Sequence, residues 1–77
     1  MTPRVRITMN GRTVEGIVLV ASTNLVSLIV TWPSEIALRT QRGGMYLGNM
    51  ALVSTTDSEP FHYVDIIEGD TVELEYF

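Results

Sequence analysis

Cysteine and lysine are both missing from this 77-residue chain, histidine and tryptophan occur once each, and only 18% of its residues are charged. Without cysteine there is no disulfide framework, which excludes the stapled secreted scaffold and fits a reducing compartment, so the expected location is cytoplasmic. With His62 as the single imidazole, the cysteine and histidine clusters that hold structural zinc are out of reach. The same shortage removes most catalytic chemistry. There is no thiol or amine nucleophile, His62 alone titrates near neutrality, and no phosphate loop, nucleophile elbow or paired-metal motif occurs. The chain is therefore read as a non-enzyme with no catalytic residue, no metal site and no cofactor.

Length sets a second limit. A chain of 77 residues accommodates one domain, residues 1–77, and buries only about 60% of the surface that its unfolded form exposes. With neither disulfide nor zinc to supplement so small a core, self-association is the expected supplement.

What charge there is lies unevenly. Nine Asp and Glu against five Arg give a formal charge of −4, which argues against general polyanion binding, so any nucleic-acid contact must be local. All five cations, Arg4, Arg6, Arg12, Arg39 and Arg42, precede residue 43, while seven of the nine acids lie at Asp57 or later. Residues 16–34 form an uncharged run of 19, flanked by arginines and acids in the manner of a signal anchor. Ser22, Thr23 and Asn24 break that run at its centre, and Val, Ile and Thr dominate it, so two strands joined by a turn account for it better. No membrane partner is expected.

Apolar residues alternate along most of the chain. In residues 4–9, Val5, Ile7 and Met9 face one way and Arg4, Arg6 and Thr8 the other. Asn10-Gly11 then supplies the two positive φ angles of a type I′ hairpin into a second strand, 12–21. There Val14, Gly16, Val18 and Val20 share one face, opposite Glu15, Ile17, Leu19 and Ala21, so the far end is apolar on both sides and is expected to be covered on both. Gly16 reads as a bulge or sharp bend. A third strand follows over 25–32 with Val26, Leu28, Val30 and Trp32 aligned, and Pro33 interrupts it. Residues 36–40 and 45–54 are further strands about Gly43-Gly44, Gly48 adds curvature, 55–60 is polar loop, and 61–67 and 71–77 close the chain around Glu68, Gly69 and Asp70. No helix is needed, and there is no repeat, low-complexity tract or linker. Six or so short strands in this length mean an all-β, small, strongly bent antiparallel barrel of the SH3-like, Sm-like or OB-like kind.

The segment Val5-Arg6-Ile7-Thr8-Met9-Asn10-Gly11-Arg12, with Val14-Glu15-Gly16-Ile17-Val18, the loop Ser22-Thr23-Asn24 and the apolar strand after it, resembles the first motif of the Sm/LSm RNA-binding proteins. Tyr46-Leu47-Gly48-Asn49-Met50-Ala51-Leu52-Val53 is similar to that family's second motif, and the likeness spans about two thirds of the chain. It implies an Sm-like barrel and a homo-oligomeric ring of roughly five to eight subunits, made by pairing edge strands of neighbours. The chain departs from the family where a base is held. Ser22 and Val26 occupy the places of its loop Asp and Asn, with Asn24 two residues early, and Ser54-Thr55 stands in place of a closing Arg-Gly. The uridine clamp is therefore not implied.

The residues best suited to RNA or single-stranded DNA are Arg4, Arg6, Arg12, Arg39 and Arg42, which can hold phosphates bidentately or stack on bases. Tyr46 would serve as a base platform, and Asn24 would line a base pocket by analogy. His62 reads as structural or surface, and Asp65, Glu68, Asp70, Glu73 and Glu75 as a solvated acidic strand face rather than a cation site. Met1, Met9, Met45 and Met50 read as core filling and subunit contact, and Trp32, Tyr76 and Phe77 as interface residues where they are not core. The resulting expectation is a non-catalytic nucleic-acid-binding ring. The alternative is an SH3-like or Sm-like protein assembly module whose acidic half is the docking face.

Overall fold

The Asn10-Gly11 turn forms as the sequence requires, with φ of 51° and 77°, and folds β1 (Arg4–Met9) back on β2 (Arg12–Ala21) in the register Val5↔Gly16, Ile7↔Val14, Met9↔Arg12. The computed structural model describes residues 3–56 and 61–77. From β2 the chain continues as an antiparallel meander through β3 (Ser27–Thr31), β6 (Asn49–Ser54), β7 (Phe61–Asp65) and β8 (Thr71–Tyr76), and β8 returns to β1 to close a six-stranded barrel. Between β3 and β6, β4 (Ala37–Arg39) and β5 (Met45–Leu47) form a separate two-stranded hairpin. There is no helix among the described residues. The loop expected at 55–60 lies partly, and Met1 wholly, outside them.

Alternation fills the barrel. Val5, Ile7, Val30, Leu28, Leu52, Leu74 and Val72 point inward and are almost fully buried, with Tyr63 among them and Leu38 from the hairpin packed on the same cluster. Each such side chain contributes roughly 1.5–3 kcal/mol through its removal from water. Met9, Met50 and Trp32 join this core as expected; the Trp32 indole donates to the Ile36 carbonyl at 2.7 Å. Met45 instead lies 58% exposed on the hairpin, and Phe77 is also exposed.

Four expectations need correction. Residues 45–54 are not one strand, because Gly48, at φ 89°, turns the chain from β5, which pairs with β4, into β6, which pairs with β3. Gly16 is not a bulge: it pairs regularly with Val5, and a Cβ there would stand 2.7 Å from the Thr31 carbonyl oxygen and 3.0 Å from Ile7 Cδ1, so it is the close approach of β3 that requires glycine. The bulge falls at Leu19, between the pairs Val18↔Val30 and Val20↔Ile29. This extra residue shifts Val20 from the inner face to the outer one, and the far end of β2, expected to be covered on both sides, is exposed. Finally, Asp65 and Asp70 are buried, so the acidic row on β8 consists of Glu73 and Glu75.

The meander fixes which loops share an end. The Asn10-Gly11 turn, the β4–β5 hairpin and the β7–β8 turn lie at one end of the barrel, and the β2–β3 turn, the β6–β7 connection and the chain ends near Arg4 and Phe77 lie at the other.

Candidate nucleic-acid interface

Barrel topology divides the proposed contact residues into three groups. Arg4 and Arg6 project outward from β1. Arg6 Nη1 lies 3.2 Å from Glu75 Oε1, Arg4 Nη2 lies 3.8 Å from Glu15 Oε2, and both guanidinium groups stand over the Phe77 ring, at 4.1 and 4.6 Å from its centre. Their charge is shared with two carboxylates and their flat faces with an aromatic ring, so a phosphate reaching this wall would compete with both. His62 continues the belt, 3.7 Å from Glu73.

Asn24 belongs to the opposite end from the hairpin arginines. Its side-chain oxygen accepts from the Ser22 hydroxyl at 2.9 Å and from the Val26 N–H at 3.3 Å, which is the work of a turn residue. Positive φ falls next door on Leu25, at 59°. Parity alone could have shown this separation, since one strand lies between the Asn10 turn and the Asn24 turn in any antiparallel meander.

Arg12, Arg39 and Arg42 are brought together at the hairpin end. Arg12 Nη1 donates to the Ala37 carbonyl at 3.0 Å and Asn10 Nδ2 to the Arg39 carbonyl at 2.6 Å, which fastens the first turn of the barrel onto β4. A shallow groove between them is lined by Met9, Asn10, Arg12, Arg39, Thr40 and Gln41. Arg42 follows in the next turn, closed by the Gly43 N–H donating to the Thr40 carbonyl at 3.1 Å and the Gly44 N–H to the Thr40 hydroxyl at 2.9 Å. All three arginines are exposed and none forms an ion pair among the described residues. Asn10, Thr40 and Gln41 were not foreseen as lining residues; Asn10 is legible only as a turn former.

Tyr46 serves as a clasp at this end. Its hydroxyl donates to Asp65 Oδ2 and, at 3.1 Å, to Asp70 Oδ2, while its half-buried ring packs on the core. Asp65 Oδ2 also accepts from the Glu68 N–H at 2.5 Å, and Asp70 Oδ1 from the Gln41 N–H at 2.8 Å. Burial, and after it the hydrogen bonds to Asp65 and Asp70 and their charges, push the Tyr46 hydroxyl far above the usual phenol range. With its hydroxyl engaged and its ring against the core, Tyr46 ties the hairpin to the β7–β8 turn and does not stand beside the arginines as an open stacking face. Among the described residues no group of three or more His, Asp or Glu is placed to hold a metal ion.

No protein-family model matches this chain, and neither does any curated protein or solved structure.

Proposed function

We propose that this chain is a non-catalytic, cytoplasmic nucleic-acid-binding protein that holds RNA or single-stranded DNA at the hairpin end of an Sm-like barrel. The observation that carries this reading is the groove of Arg12 and Arg39, with Arg42 in the turn beyond it: three exposed guanidinium groups that form no ion pair among the described residues, beside the amides of Asn10 and Gln41. Guanidinium groups so placed take phosphates bidentately, and the neighbouring amides offer donors and acceptors to sugar or base edges. Asp65 and Asp70, at the same end, are buried against the Tyr46 hydroxyl. In this reading copies of the chain associate, and the ring that the Sm resemblance implies would join them at the β4–β5 hairpin, where β5 has an edge with no strand partner, because the barrel strands are paired on both sides.

Fluorescence anisotropy with mixed-sequence RNA and DNA single strands tests it. About three phosphate contacts give a log–log salt slope near −2, and thus roughly a tenfold loss of affinity between low and moderate salt. Arg39→Ala with Arg42→Ala should flatten that slope by one to two, whereas Arg4→Ala with Arg6→Ala should leave most of it. Binding that ignores salt, or that survives the first pair and is lost with the second, would sink the reading. The alternative, an SH3-like or Sm-like protein assembly module, is favoured by one observation, an uncharged outer wall on β3, β6 and the part of β2 from Ile17 onward; the acidic row of Glu73 and Glu75 is already engaged by His62 and Arg6.

A further inference from the structure

The bulge at Leu19 turns Val20 outward and completes a row of apolar side chains on the outside of the barrel. Val20 pairs with Ile29, Ile29 with Ala51, and the Ile66 N–H donates to the Ala51 carbonyl, so these four residues lie side by side across β2, β3, β6 and the start of the turn after β7. Ile17 and Leu19 flank the row on β2. The exposures are 41% for Ile17, 56% for Leu19, 59% for Val20, 40% for Ile29 and 62% for Ile66. Together these five present on the order of 450 Å² of apolar surface, within the range of the largest patch on a typical monomer, where such patches are often functional. No outward residue of β3 or β6, nor of β2 from Ile17 onward, is charged. Beside the Gly16 crossing a shallow groove borders the row, lined by Ile17, Thr31, Trp32 and Pro33 and closed on its far side by the Arg4–Glu15 pair.

We propose that this wall is the contact surface for a second copy of this chain. Three observations select that occupant. The patch matches the apolar share of the roughly 800 Å² that each partner buries in a standard interface. The chain carries a formal charge of −4, yet no residue of the row is charged and the Arg4–Glu15 pair at its border is of opposite signs, so two copies meet there without a block of like charge. A 77-residue barrel with no disulfide has only a small core, and covering this wall with a second copy adds to the stability that this core supplies alone. The proposal rests on the self-associating half of the reading above and moves the contact from strand edges to a barrel wall.

Sedimentation velocity and light scattering on the whole chain, at high micromolar concentration, provide the test. Val20→Lys and Ile66→Lys place a charge at exposed positions of the row, so the barrel should keep its circular dichroism while self-association weakens about tenfold or more. Val20→Thr, which keeps the β-branched shape, replaces any lysine variant that loses its strand signal. The wild type should have at least twice the particle mass of the wall variants. An assembly whose mass survives both variants overturns the wall contact while leaving a ring through β4 and β5 in place. A wild-type monomer overturns both forms of self-association, including where it floats with phosphatidylcholine vesicles and so assigns the wall to a lipid surface. Oligonucleotide binding by the same variants, per chain, should be unchanged, which separates this contact from the arginine groove.

Discussion

On the wall formed by β7, β8 and β1, every charge has an answering group. Arg6 meets Glu75, His62 meets Glu73, Arg4 reaches Glu15 on β2, and Phe77 lies beneath both arginines. The wall formed by the far half of β2 with β3 and β6 has no charge and no such pairing, and its exposed residues include the large apolar side chains of Ile17, Leu19, Val20 and Ile29. Both walls enclose the same core, and strand alternation builds both except where the bulge at Leu19 turns Val20 outward. They differ in what the outward positions can satisfy by themselves: water and neighbouring charges suffice for the first, whereas apolar surface on the second is satisfied only by being covered.

The two walls meet along β2, and the greatest loss should come from disturbing that line. A methyl group at residue 16 would lie 2.7 Å from the Thr31 carbonyl oxygen, which is backbone and has little freedom to move. Gly16→Ala should cost about 3 kcal/mol, as overpacking does, or prevent folding altogether. Chemical denaturation checks this, and a loss below about 1 kcal/mol would mean that the walls are not held so closely there.

Next in size is the clasp that joins the hairpin to the turn where the charged wall's β8 begins. Tyr46→Phe removes two hydrogen bonds to carboxylates and leaves Asp65 and Asp70 with fewer partners, a loss of about 2 kcal/mol. The same group sets an alkaline limit. An unfolded tyrosine loses its proton near pH 10, whereas burial raises the folded Tyr46, Tyr63 and Tyr76 above that value. Above pH 10 the unfolded state thus binds fewer protons than the folded one, and stability should fall as pH rises. Tyrosinate absorbance should appear together with loss of the strand signal. Tyrosines that titrate near pH 10 in an intact barrel would contradict the burial of these hydroxyls.

Much of this contrast was legible in the sequence, and the remainder has identifiable causes. Arg4 and Arg6 alternate with Val5 and Ile7, and Glu73 and Glu75 with Val72 and Leu74, so one period of two assigned the charged wall and its inner face together. Residues 17–21 are apolar at every position, so alternation there carries no phase, and an extra residue at Leu19 leaves no mark in composition. The burial of Asp65 and Asp70 was hidden because their partner, Tyr46, comes from a hairpin about twenty residues earlier. Among the nucleic-acid candidates, the grouping of Arg12, Arg39 and Arg42 required knowing that Asn10 and Arg12 fasten onto β4, a contact between segments with no common period.

Smaller effects should distinguish the walls from one another. Arg6→Ala removes an exposed ion pair and one of two contacts to Phe77, so about 1 kcal/mol at low salt and less at high salt is expected. Particle mass should be unaffected. Val20→Lys should show the reverse pattern, with little change in the stability of the separated barrel and a clear change in mass. A variant of the charged wall that alters assembly as strongly as Val20→Lys would abolish the distinction.

The smallest effect concerns the turns at the two ends of β2. At one end the left-handed conformation falls on Asn10 and Gly11, residues that adopt it readily; at the other it falls on Leu25, at φ 59°, directly after an asparagine. A leucine held there costs about 1 kcal/mol against a residue suited to the region. Its carbonyl accepts from the Tyr63 hydroxyl at 3.1 Å, a bond that any residue at this position would supply, and its side chain is about half exposed. Leu25→Asn should therefore relieve strain without removing that bond, and raise stability by about 0.5 kcal/mol once the lost apolar contacts are offset. A shift of the thermal midpoint upward would show that this turn carries strain that the Asn10-Gly11 turn avoids. A shift downward would mean that the Leu25 side chain has contacts stronger than the strain, and would extend the apolar wall onto the turn.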